Sequence, residues 1–191
     1  MVDELNRAFG DSICITREPG GSPFGEAIRE VALKHPLAKD APPETMLLLM
    51  FASRFDHVIR KVMPMLNSGK SVVSDRFDES SYAYNVWAQT ADAPVQGDLE
   101  PLFWQIRARL PVLPDLYVFL DVDPKIGLAR LHNQAGADIN HFDEKNIKFH
   151  EDVRDAFKRF LPKVPHVVID ANAPLEDVKR EFLAQIKKHL P

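Results

Sequence analysis

The run Ser71-Val72-Val73-Ser74-Asp75-Arg76 sets an acid and a base directly after a short, β-branched apolar strand. In an open parallel α/β sheet, ligands bind beyond the carboxyl ends of the strands, which is where Asp75 and Arg76 would point. Arg54 is a second candidate: it follows Phe51 by three residues and Met50 by four in a helical apolar pattern, so it shares their face. An arginine among apolar residues needs an anion or a carboxylate to offset its burial. The bland alternative is a stem packed on the core with its head in water.

A phosphate loop would be the natural companion of such residues. Gly20 and Gly25 have the required glycine spacing, but Glu26 and Ala27 stand where Lys and Ser/Thr are needed, and an acid there repels phosphate. Gly69-Lys70-Ser71 supplies the missing tripeptide, yet Pro64 occupies the upstream glycine position and a strand follows in place of a helix. No G-x-x-x-x-G-K-[ST] pattern occurs in the 191 residues. His132 and His141 lack the local spacing of a helical zinc pair. The single cysteine, Cys14, excludes an internal disulfide and reads as a small buried hydrophobe.

A chain that is 45% hydrophobic and 27% charged can bury one core, and 191 residues suit a single domain over 1–191. The net charge of -4 argues against a broad nucleic-acid footprint, so bound phosphate should be met by a few placed arginines. No apolar run reaches membrane-spanning length, and a soluble, cytoplasmic protein is expected. Periodicity predicts helices over 2–9, from 43 towards 67 with Pro64 kinking or ending it, 80–88 with serine caps, 99–110, 143–161 and 172–190. Strands are predicted over 12–16, 71–75, 114–122 and 167–170, with a polar connection over 89–98. Alternating strands and helices predict a doubly wound α/β domain, a parallel sheet with helices on both faces.

Several runs, in order, resemble the thymidylate kinase family. They are Thr16-Arg17-Glu18-Pro19-Gly20-Gly21 with Gly25-Glu26 and Ile28-Arg29; Asp75-Arg76-Phe77 with Ser80-Ser81 and Ala83-Tyr84-Asn85; Leu120-Asp121-Val122 with Gly127-Leu128-Ala129-Arg130; and Val153-Arg154 with Phe157. Asn85 departs from the common glutamine. The resemblance implies a P-loop kinase-like fold and transfer of the ATP γ-phosphoryl group to dTMP with Mg2+, by a homodimer. It implies that Arg54 and Arg76 hold the phosphate and base of dTMP, and that Asp75 positions the acceptor phosphate or the metal. Phe51, with Met50 as the rival, would stack on thymine. Tyr84 would pack on the deoxyribose and crowd out a 2'-hydroxyl, with Glu18 also in the substrate site. Ser80 and Ser81 match positions facing the base, although capping alone would explain them. Arg130 matches an arginine near adenine, and solvation on a helix face explains it equally well.

The lid implied over about 131–143 has no Lys or Arg, so the positive charge that phosphoryl transfer requires would come from elsewhere. In register, the family's first central strand and phosphate loop precede Val2, between the strands ending at Asp75 and Asp121. On that basis the chain alone is expected to be inactive and poorly stable. A catalytically silent dTMP-binding or regulatory module, or a structural remnant, is the alternative to a kinase.

Overall fold

The computed structural model describes residues 2–88, 99–133 and 141–190. Its strands are β1 (Ile13–Arg17), β2 (Ser71–Asp75), β3 (Tyr117–Asp121) and β4 (His166–Asp170). Its α-helices are α1 (Val2–Phe9), α2 (Pro23–Lys34), α3 (Pro43–His57), α4 (Met63–Asn67), α5 (Asp78–Ser81), α6 (Leu99–Arg107), α7 (Pro124–His132), α8 (Ile147–Phe160) and α9 (Leu175–His189). β1 runs parallel to β2 from the pair Ile13 and Ser71 to the pair Arg17 and Asp75. β3 runs parallel to β4 from Tyr117 and His166 to Asp121 and Asp170.

Side chains alternate across a strand, and here the alternation sorts two helix layers. Ile13, Ile15, Val73, Val118, Leu120 and Ile169 gather with Leu5 of α1 and Val178, Phe182 and Ile186 of α9. Val72, Tyr117 and Phe119 turn the other way, into a core built on Phe51 of α3, Phe103 of α6 and Phe160 of α8. Helices therefore cover both faces, as the strand and helix alternation requires. Among the described residues the strands form two parallel pairs, with no ladder between β2 and β3. Val73 and Val118 nonetheless rest on one apolar cluster, so the two pairs share their helix layers.

Two expectations need correction. The long helix does not end at Pro64: just before the proline it is distorted by a wide turn over Val58–Val62, where the Met63 N–H reaches back to the Val58 carbonyl, and it resumes as α4. Proline has no N–H to donate and crowds the carbonyl one turn back, and a widened turn just before it relieves both defects. The serines at 80 and 81 are not caps. The helix begins earlier, at Asp78, and another wide turn follows over Tyr82–Ala88. The connection expected over 89–98 and the central part of the lid, 134–140, lie outside the described residues.

Candidate functional site

The carboxyl ends of β1 and β2 open into a cleft of about 280 Å³. Its wall is built from the turns after both strands, from α2, α3 and α5, from Leu131 of α7 and from Phe142 and Asp143. The strand register dictates this convergence: with Arg17 opposite Asp75, Glu18 and Arg76 leave the sheet side by side, and the Glu18 N–H donates to the Asp75 carbonyl at 2.9 Å.

Arg54 is only 3% exposed and is held on three sides. Its Nε donates to Glu18 Oε2 at 2.7 Å, and its Nη2 donates to the Phe77 carbonyl at 2.9 Å and to Ser81 Oγ at 3.1 Å. The rings of Phe51 and Phe77 lie 4.8 and 5.2 Å from the guanidinium carbon. A charge this deep is tolerable because Glu18, itself 3% exposed, neutralises it through a charge-assisted bond. Nη1 is buried without a hydrogen-bond partner among the described residues. Buried donors are nearly always satisfied. An unmet donor on a cleft-lining arginine is therefore positioned for an acceptor supplied by a ligand.

Arg76 takes the left-handed region, φ 68°, which is unusual for a residue with a side chain. The Ser74 hydroxyl donates to its carbonyl at 2.8 Å, so the end of the strand itself braces the turn. The Arg76 side chain lies over the Tyr84 ring at 5.4 Å, and Tyr84, with Asp75 and Glu79, holds its guanidinium firmly charged. Tyr84 is boxed in turn by Phe142, Phe149 and Phe157, with centroids 5.3, 6.2 and 6.3 Å away. On α2, Arg29 lines the cleft while donating to the Pro19 carbonyl at 3.1 Å. Three cationic side chains and the Ser80 and Ser81 hydroxyls thus meet at one opening. Glu79, beside them, has its carboxyl pushed up to about 7 by burial, with the neighbouring Asp78 adding to the effect.

Glu18, Met50, Arg54, Arg76, Ser80, Ser81 and Tyr84 all line this cleft. Phe51 does not: it is 2% exposed, packs edge-on against Phe103 at 5.5 Å and backs Arg54 from beneath. Met50, the rival to Phe51 for the stacking position and one residue earlier, does line the cleft. Asp75 is exposed at the tip of β2, outside the cleft lining. Arg130 lies elsewhere, exposed on α7, and donates to the carbonyls of Ala171, Asn172 and Ala173 beyond β4. No cluster of three His, Cys, Asp or Glu side chains suited to a metal occurs among the described residues.

Arg29, Leu33, Asn85, Leu131, Phe142 and Asp143 also line the cleft; sequence reasoning gives Arg29 and Leu33 no role in it, and Asn85 stands only as a departure from the common glutamine. Arg29 and Leu33 are four apart on one helix, so the pair shares a face, and that spacing was the available signal. Leu131, Phe142 and Asp143 fall within the span of the lid implied over about 131–143, and tertiary packing brings them to the cleft.

The family model described as thymidylate kinase matches residues 1–182. The thymidylate kinase of Geobacillus thermodenitrificans is 35% identical over 99% of this chain and 82% of its own length. That of Magnetococcus marinus is 36% identical over 95% of this chain and 84% of its own. The crystal structure of thymidylate kinase from Ehrlichia chaffeensis superposes with a TM-score of 0.69 at 25% identity, covering 96% of this chain and 86% of that one.

Proposed function

Since the chain belongs to the thymidylate kinase family, we propose that it transfers the γ-phosphoryl group of ATP to dTMP, giving dTDP for dTTP biosynthesis. The observation that carries this reading is the convergence of Arg29, Arg54 and Arg76 on a cleft at the ends of β1 and β2. A phosphate monoester is a dianion, and guanidinium groups bind it by bonds about twice as strong as neutral ones. Arg76 and Arg29 hold the acceptor phosphate. Arg54 offers Nη1 to the base or the phosphate, Met50 packs on thymine with Ser80 and Ser81 at its edge, and Tyr84 closes the sugar side against a 2'-hydroxyl. Glu18 serves the site by orienting Arg54.

Mg2+ is bound through one or two protein carboxylates plus substrate phosphates. The exposed carboxylate of Asp75, at the end of β2, fits that requirement. When bound, the ion neutralises charge developing on the transferring group. Arg76, beside Asp75, adds fixed positive charge where none comes from the lid. Arg130 borders the adenine side of the donor site, its guanidinium bracing the turn beyond β4.

A homodimer is supported by an apolar surface: Phe24 and Val31 on α2, and Leu48, Ile59 and Leu66 along the α3 to α4 helix, are all at least 38% exposed. Seven-residue spacing puts Phe24 and Val31 on one face of α2. No helix among the described residues is long and apolar enough to cross a membrane. A cytoplasmic enzyme suits the chemistry, because both nucleotides are intracellular metabolites.

The test is incubation with dTMP, ATP and Mg2+, reading dTDP by chromatography alongside calorimetric titration of dTMP. Formation of dTDP supports the kinase. Binding of dTMP without dTDP would favour the silent module, a reading that relatives named for kinase activity do not support.

A further inference from the structure

His57 is fully buried and has no part in the reading above. It follows Arg54 by three residues on α3, so both side chains reach the turn after β1 from the same helix face. Its Nδ1 lies 2.8 Å from Glu18 Oε1, and its Nε2 lies 2.8 Å from Thr16 Oγ1. A carboxylate only accepts, so Nδ1 carries the proton and donates to Glu18; in the neutral ring Nε2 then accepts from the Thr16 hydroxyl. The other Glu18 oxygen accepts from Arg54. The result is an unbroken chain from strand to helix to strand end and back: Thr16, His57, Glu18, Arg54.

We propose that His57 is a positioning residue for the acceptor pocket, fixing the Glu18 carboxylate so that the Arg54 guanidinium presents Nη1 to the nucleotide. The inference rests on the reading of the cleft as the dTMP site. The geometry favours it for three reasons. Both Glu18 oxygens are engaged, one by His57 and one by Arg54, so the carboxylate plane has one setting. The Arg54 Nε and Nη2 bonds then leave Nη1 as the donor without a partner among the described residues. The ring is also fitted to the turn above it. A Cβ at Gly21 would come within 2.5 Å of His57 Cδ2 and 2.8 Å of Thr16 Oγ1. A leucine at 57 would fill much of the space but leave Glu18 Oε1 unbonded and the carboxylate free to turn, and binding would then bear the cost of reordering Arg54.

The experiment titrates dTMP into the full chain by calorimetry and records the melting temperature without ligand. His57→Leu is expected to raise the dTMP Kd by about tenfold or more. His57→Asn keeps an amide donor near the Nδ1 position and is expected to recover most of that loss. A purely structural role would lower the melting temperature of both variants while leaving the Kd of the folded protein alone. In the parent, the hydrogen-bonded Nδ1 proton should give a far-downfield NMR resonance that disappears in His57→Leu. Parent-like dTMP affinity in folded His57→Leu, or no recovery in His57→Asn, overturns the proposal. If His57→Leu does not fold, Thr16→Val decides: weaker dTMP binding supports the chain, and unchanged binding overturns it. A parent that fails to bind dTMP removes the reading of the pocket and this inference together, whereas a parent that binds alongside indifferent variants removes the inference alone.

Discussion

Glu79→Gln should change how stability depends on pH. Glu79 Oε1 accepts from the Phe77 N–H at 2.9 Å and from Ser80 Oγ at 3.3 Å, while Oε2 is buried with no hydrogen-bond partner among the described residues. Burial, and then the charge on Asp78, raise its pKa from 4.5 to about 7, so the folded protein holds a proton there that the unfolded chain gives up. An acid with a raised folded pKa contributes stability that is complete below about pH 4.5 and is lost as pH rises through about 7. That interval is worth about 3 kcal/mol, a large share of the roughly 5 to 15 kcal/mol of a typical domain. Glutamine keeps an acceptor for the Phe77 N–H and cannot ionise, so its pH dependence should be flatter by that amount. Urea unfolding at intervals from pH 5 to 8 reads the difference, provided the slopes with denaturant agree. Burial shifts His150 the opposite way, but it is present in both proteins and cancels in the comparison. Parallel curves for parent and variant would refute the assignment of a protonated Glu79.

Three further expectations follow from the pocket. Gly21→Ala should cost about 2 kcal/mol or more, because Gly21 has φ 80° and its added methyl would meet His57 and Thr16; unchanged unfolding would refute that fit. Tyr84→Ala should narrow the preference for dTMP over UMP, read as the ratio of their dissociation constants, and an unaltered ratio removes the ring from the sugar site. Arg29→Ala should weaken binding of dTMP far more than binding of thymidine, since its proposed partner is the phosphate; equal losses would place it elsewhere.

The layers of this fold were legible because the strands are short, apolar and β-branched and each is followed by turn chemistry. The approximate ends of β2 and β4 and the parallel arrangement came directly from that pattern. The cleft was legible where residues stand at strand ends, as at Glu18 and Arg76, or stand out as charges on an apolar helix face, as at Arg54, and all three line it. The choice between Met50 and Phe51 was open in the sequence because the two are adjacent on a helix and both are apolar. Only the packing of Phe103 shows which of the two turns inward. Pro64 announced a defect without fixing its form, which is a widened turn over Val58–Val62. His57 was hidden for a different reason. Its partners, Thr16 and Glu18, are 41 and 39 residues away, and no local pattern links them.

The most direct measurement of the central claim is calorimetric titration of dTMP into the parent chain and into Arg76→Ala. Arg76 sits at the mouth of the cleft over Tyr84, apart from the buried bonds that hold Arg54, so its loss should remove affinity without unfolding the domain. The expected result is saturable binding of one dTMP per chain, weakened at least about tenfold in the variant, or roughly 1.4 kcal/mol. Absence of dTMP binding by the folded parent, or equal affinity in parent and variant, would contradict the assignment of this cleft as the acceptor site.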